Sequence, residues 1–253
     1  MHFSRIGARS LLLSLGLAAA FNALPAHAAQ WVSAAAHAVV DAADRDAADR
    51  AVDERRGSAQ LLTFMQVQPG MAVLDLGAGG GHTTELLARA VGPTGVVYAQ
   101  NNAMMLERFV KDKFAIRAAK PVMADVKHHV ADFDNPIPPG ARPLDRVSAV
   151  FIYHDTVWIK ADRVKMNKAL FAALKPGGKL ILVDHAGNPG TGATQTDSLH
   201  RIEQSLVRSE IEAAGFRLEA DADFLAHPDD PRDMPFFKAT QAVDQFVLRF
   251  VKP

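Results

Sequence analysis

The sequence predicts a doubly wound α/β fold, and three observations predict it. Strand-like and helix-like segments alternate from residue 71 onward, the pattern that places a parallel sheet between helices. The run Val73-Leu74-Asp75-Leu76 leads into Gly77-Ala78-Gly79-Gly80-Gly81-His82, which reads as a buried strand, a glycine-rich turn and a helix start. At 253 residues, 49% hydrophobic and 22% charged, the chain can bury one full core, and no repeat or composition break after residue 58 marks a second domain.

The first element is a leader. Arg5 and Arg9 form a positive region, residues 11–21 an apolar one, and Ala26-His27-Ala28 an A-x-A site, so residues 1–28 read as a signal peptide cleaved after Ala28. That predicts a periplasmic or secreted protein without stable membrane insertion after cleavage, because the apolar run is too short to span a bilayer comfortably. An uncleaved anchor is the alternative.

Residues 29–57 follow as a helical lead-in or lid, with Arg45, Asp46, Asp49, Arg50, Asp53, Glu54, Arg55 and Arg56 spaced for pairing along a helix. The main domain is expected over 58–253. Ser58 is expected to cap a helix through Leu61, Leu62, Phe64 and Met65 that Pro69-Gly70 ends. Strands are predicted over 71–76, 95–100, 126–130, 146–153, 179–184, 216–224 and 245–251, and helices over 82–91, 103–117, 158–174 and 198–214.

Composition removes several functions. Basic and acidic residues number 28 each, which leaves no cationic excess to bind a polyanion, so a small molecule rather than a nucleic acid is the expected partner. The absence of cysteine excludes disulfides, thiolate metal sites and cysteine nucleophiles. Monomer and homodimer both stay open.

The glycine turn is the most specific feature. A dinucleotide fingerprint would read G-x-G-x-x-G, but His82 stands where its last glycine belongs and no acid follows about twenty residues on. The pattern is D-x-G-x-G-x-G, which resembles motif I of the class I S-adenosylmethionine (AdoMet) dependent methyltransferases. Leu174-Lys175-Pro176-Gly177-Gly178 is similar to the L-[KR]-P-G-G turn of the same superfamily. Tyr153-His154-Asp155, Val183-Asp184-His185, Leu199-His200-Arg201-Ile202 and Ala213-Ala214-Gly215-Phe216 look like a small group of signal-peptide-bearing bacterial methyltransferase-like proteins.

The resemblance implies a Rossmann-like sheet of about seven strands, mostly parallel with an antiparallel C-terminal strand, preceded by N-terminal helices. It implies AdoMet as cofactor, its amino-acid end held by Asp75, Gly77, Ala78, Gly79 and Gly81. Asn101 occupies the place of the usual ribose-binding acid, a change that forfeits a charge-assisted hydrogen bond of about 1–2 kcal/mol. Asp132 would meet the adenine amino group and Phe133 the ring, a solvated loop carboxylate being the other reading of Asp132.

In open α/β sheets ligands bind beyond the carboxyl ends of the strands where strand order reverses. His154 and Asp155 after the fourth strand, and Asp184 and His185 after the fifth, are therefore the candidate catalytic residues. Methyl transfer needs the acceptor oriented and its proton removed, and either imidazole is a base with an acid to orient it. A hydrogen-bonded structural histidine is the plainer reading of each.

A divalent metal on Asp155, Asp184 and His185, as in the catechol O-methyltransferases, is a rival arrangement, and imidazole would favour a transition ion. His200 and Arg201 fit either a carboxylate substrate or an exposed helix face, and His128 and His129 receive no role. Because AdoMet is made in the cytosol and the leader directs export, a non-catalytic periplasmic ligand-binding protein on the same fold stands beside the enzyme reading.

Overall fold

A computed structural model describes residues 1–2 and 32–253. The expected leader and its cleavage site lie outside the described residues, apart from Met1 and His2. Among the described residues no helix is long and apolar enough to cross a membrane.

Three helices precede the sheet, α1 (Ala34–Val40), α2 (Ala47–Arg56) and α3 (Ser58–Met65). Ser33 caps α1 by accepting the Ala36 amide on its hydroxyl. The expected Ser58 cap does not form. Gly57, at φ 54, ends α2 in the left-handed region and stands directly before α3, while Ser58 is the first helical residue and is buried.

The sheet contains β1 (Ala72–Leu76), β2 (Val96–Asn101), β3 (Lys127–Val130), β4 (Leu144–Val150), β5 (Leu174–His185), β6 (Arg217–Ala222) and β7 (Gln245–Val251) in the order β3-β2-β1-β4-β5-β7-β6. Strands β1 to β5 pair in parallel, and β7 runs antiparallel to both β5 and β6. The doubly wound, mostly parallel sheet with an antiparallel C-terminal strand is thus the fold found.

Side chains alternate across it with the strand period of two. Val73, Val97, Ile181 and Val183 join Leu61, Phe64 and Met65 of α3 and Leu87 and Val91 of α4 (His82–Val91). On the other face Leu74, Leu76, Leu180 and Leu182 join Met166 and Leu170 of α8 (Arg163–Ala173) and Val207 and Ile211 of α9 (Gln204–Ala213). Both faces of the central strands are buried, which fixes the sheet as the centre of the molecule.

Three expected helices differ. The 103–117 helix is α5 (Ala103–Met105), a π-helical stretch over Leu106–Val110, and α6 (Lys111–Ala118). The 158–174 helix begins only at Arg163, as α8, and a separate short helix, α7 (Tyr153–Trp158), precedes it, parted from it at Lys160 with φ 59. Tyr153, His154 and Asp155 therefore begin a helix rather than finish β4. The 198–214 helix starts only at Gln204, because Ile202 bridges to Ala186 just beyond β5.

Candidate active site

The crevice between β1 and β4 is the point where strand order reverses, and the glycine turn sits at its mouth. Gly77, Gly79 and Gly81 all have positive φ. At Gly77 a Cβ would lie 2.1 Å from Cγ1 of Ile152, whereas at Gly79 the nearest atom is the Gly77 carbonyl at 3.9 Å. Gly77 thus serves close packing as well as conformation, and Gly79 serves conformation with open space beside it.

The turn's amides already have acceptors. Gly77 N donates to the Gln100 side-chain oxygen at 2.9 Å, Ala78 N to the Gln100 carbonyl at 2.8 Å, and Gly79 N to Asn101 Oδ1 at 2.8 Å. The Asn101 amide nitrogen lies 3.3 Å from His128 Nε2. Phe114 of α6 stacks on the His128 ring at 4.0 Å, and Arg117 Nε donates to the Gly80 carbonyl. Asn101 is therefore where an acid would be, turned onto the glycine backbone.

Asp75 is engaged by neighbouring hydroxyls. It is buried, its oxygens accept the Thr84 and Ser148 hydroxyls at 2.6 and 2.7 Å, and burial pushes its carboxyl up to about 6. Its visible work is to tie α4 to β1 and β4. Asp132 is exposed and accepts from the Asn102 amide at 2.9 Å, a position open to a ligand. Phe133, expected beside an adenine, is 1% exposed within the core, so it lends no face to a ring in this conformation.

A glycine cradle that admits no Cβ at Gly77, with an amide and an acid at the ends of β2 and β3, fits the outline of AdoMet. Its ribose end lacks the usual negative charge.

The second half of the site is a histidine cluster that begins two residues beyond Ile152. Asp184, at the end of β5, accepts the His154 backbone amide at 2.9 Å, His154 Nδ1 at 2.6 Å and the His185 amide at 2.8 Å. On the far side of the same ring, His154 Nε2 lies 3.2 Å from Asp155 Oδ1. Burial works against charge on His154, but the Asp184 carboxylate and then Asp155 outweigh it and raise the imidazole to about 10. The ring is an imidazolium at neutral pH.

His185 is the opposite case. Burial first, aided by the His154 charge, drives its pKa down to about 3 despite Asp184. Its ring stacks on Phe151 at 4.8 Å and Phe236 at 4.1 Å, and its buried Nδ1 has no hydrogen-bond partner among the described residues. Of the rival metal set of Asp155, Asp184 and His185, Asp184 is engaged by His154 and by two backbone amides. Asp155 stays ionised, since its His154 and Trp158 hydrogen bonds overcome its burial.

His200 completes the cluster and was only loosely placed by sequence. Its Nδ1 lies 3.5 Å from Asp155 Oδ1, and its backbone is left-handed at φ 52. Arg201, expected on an exposed helix face or a substrate, is instead fully buried and donates to Asp230 Oδ2, the Ala186 carbonyl and the Met234 carbonyl. That tie draws the segment over 230–237 across the strand ends and delivers Phe236 onto the histidines. Tyr153 points away, donating to Glu210 at 2.7 Å.

The chain's comparisons with known proteins agree with this fold. Residues 73–178 match the family model of a methyltransferase domain. Protein-L-isoaspartate O-methyltransferase of Aeropyrum pernix is 30% identical over 49% of this chain and 42% of its own length. Mouse acetylserotonin O-methyltransferase is 29% identical over 65% of this chain and 42% of its own. The chain spans less than half the length of the curated relatives it matches.

Among solved structures, a SAM-dependent methyltransferase from Aquifex aeolicus superposes with a TM-score of 0.56 at 19% identity, covering 77% of this chain and 88% of that one. A sarcosine dimethylglycine methyltransferase, so described as putative, from Galdieria sulphuraria gives 0.56 at 18% identity over 84% and 89%. These likenesses show the fold. With the domain match, they support the class I AdoMet-dependent methyltransferase superfamily.

Proposed function

We propose that the protein is an AdoMet-dependent methyltransferase acting on a small molecule, with its acceptor seated at His154, Asp155 and His185. The observation that carries this is the Gly77–Ile152 contact. It sets the cradle directly against the segment that bears His154, so cofactor and acceptor sites share one crevice. AdoMet, when bound, supplies an electrophilic methyl group, and Gly77, Ala78, Gly79, Gly81, Asn101 and Asp132 would hold it.

The chain's part is positioning and proton management. His154 is already protonated and His185 resists protonation, so the ionised Asp155, held by Trp158, is the group suited to take the acceptor's proton. His154 orients that carboxylate, and Phe236 with Phe151 keeps His185 dry. We also place the protein outside the cytoplasm, on the leader reading of residues 1–28.

A second reading, a binding protein without turnover, has one observation in its favour: the turn's amides are satisfied by Gln100 and Asn101 without any ligand. Calorimetric titration of the purified protein with S-adenosylhomocysteine is the test. Saturable micromolar binding that survives His154→Ala, together with turnover that does not, supports the enzyme. Binding with no turnover on any acceptor supports the second reading, and no heat at any concentration overturns AdoMet as the cofactor and leaves the fold standing.

A further inference from the structure

We propose that His154, Asp155 and His200 form a binding site for a divalent transition-metal ion, oriented from behind by Asp184. The inference stands on these side chains alone and does not rest on the methyl-transfer reading. Among the described residues they are the one group of three His, Cys, Asp or Glu side chains whose ligand atoms all lie within 4.8 Å of one another.

The spacing suits an ion. Ligand bonds of about 2.0–2.2 Å in tetrahedral geometry put ligand atoms about 3.3–3.6 Å apart. Asp155 Oδ1 is 3.2 Å from His154 Nε2 and 3.5 Å from His200 Nδ1. Only the two imidazole nitrogens, within 4.8 Å of each other, need approach further.

The surroundings are those of a prepared site rather than a chance meeting. A metal-binding histidine commonly donates its other ring nitrogen to a carboxylate, which fixes the tautomer and aims the second nitrogen at the ion, whose binding releases the proton that nitrogen carries in the imidazolium. His154 Nδ1 makes that bond to Asp184 Oδ1 at 2.6 Å, and Asp184 is itself gripped by two backbone amides. Trp158 Nε1 donates to Asp155 Oδ1 at 2.6 Å, steadying the carboxylate.

His200 is preset as well. The Ile202 amide donates to the His185 carbonyl, and buried Arg201 is locked to Asp230, so the residue between Leu199 and Arg201 has little freedom to swing away. Phe236 and Phe237 flank the rings at 6.1 and 5.5 Å from His200. Their apolar wall lowers the local dielectric and limits water.

Two imidazoles and one carboxylate select a transition ion over Mg²⁺ or Ca²⁺, which prefer all-oxygen shells. Three protein ligands leave a coordination position open, as in catalytic sites. That position would take an oxygen donor, a hydroxyl or carboxylate of a small molecule, whose acidity the ion would raise. With an ion bound, Asp155 is a ligand and the ion takes over the work of loosening the acceptor's proton.

The experiment is titration of the chelator-stripped full protein with Zn²⁺ by calorimetry and with Co²⁺ by visible absorption, without any cofactor. One ion per chain with a Co²⁺ ligand-field band is expected. His200→Ala should weaken binding by roughly 100-fold and Asp184→Asn by about 10–100-fold, while His37→Ala leaves it unchanged. Circular dichroism confirms that each variant is folded. Should Asp184→Asn not fold, His200→Ala alone decides, because His200 is partly exposed. No saturable binding, or binding that His200→Ala leaves intact, overturns the proposal whatever the cofactor titration gives.

Discussion

Gly77 and Gly79 look interchangeable in the motif, yet the structure asks different things of them. A Cβ on Gly77 would strike Ile152 at 2.1 Å in a backbone at φ 65, while one on Gly79 meets only strain at φ 56. Gly77→Ala should therefore cost about 3–5 kcal/mol, overpacking added to left-handed strain, and Gly79→Ala about 1 kcal/mol. Urea unfolding of the two variants checks this; equal losses would show that Ile152 yields freely. Sequence gave both glycines a ligand role because a motif records residue type and not neighbours. For the same reason it assigned Asp75 to the cofactor without showing the hydroxyls that engage it, of which Ser148 lies 73 residues on in a strand that only the fold brings alongside. His154, Asp155, Asp184 and His185 were legible as a group because strand ends in this topology converge, but the pairing that makes His154 a cation and leaves His185 neutral depends on which ring meets Asp184.

At the scale of elements, the lead-in helices were visible as a charged, alanine-rich stretch, and what they grip was not. Helix α2 is fastened to α4 and α6 through Glu85, a fully buried carboxylate reached by Arg45 at 3.4 Å, Arg89 at 3.0 Å, Lys120 at 3.0 Å and Arg117. Asp49 of α2 takes a second pair of contacts from Arg117 and Lys120, and Asp53 takes Arg45 at 2.6 Å. Removing one member of a buried ionic cluster strands its partners, at about 3–5 kcal/mol. Glu85→Ala should lose that much in thermal or denaturant unfolding, and a loss under 1 kcal/mol would mean that water replaces the carboxylate. The charge spacing along 45–56 suggested pairs within one helix, yet Asp46 and Asp49 reach Arg117 and Lys120, tens of residues away, which no local periodicity encodes. The late start of α9 has the same origin, since the bridge from Ile202 to Ala186 is a long-range contact.

For the whole molecule these buried acids set two opposing responses to pH. Asp75 has a folded pKa of about 6 against the ordinary 3.8, so the folded state holds its proton more tightly and stability falls as pH rises from about 4 to about 6. Asp49 runs the other way. Its Arg117 and Lys120 partners outweigh burial and hold its carboxyl far below the usual range, and Glu85, burial opposing, is lowered by Lys120, Arg89 and Arg117. Their contribution is present above an unfolded pKa near 4 and drains away as pH falls below it. Acid should thus loosen the α2 clamp first, while the sheet around Asp75 loses no support from that residue. Hydrogen exchange at pH 3 against pH 7 should show early loss of protection over 47–56, with β1, β4 and β5 still protected. In parallel, Asp75→Asn should remove a stability decline of about 3 kcal/mol between pH 4 and pH 6, the free energy equivalent of its two-unit shift. If wild type and Asp75→Asn keep a constant stability difference across that window, Asp75 is already ionised in the fold, and the hydroxyls of Thr84 and Ser148 then hold a charge rather than an acid at the base of the glycine turn.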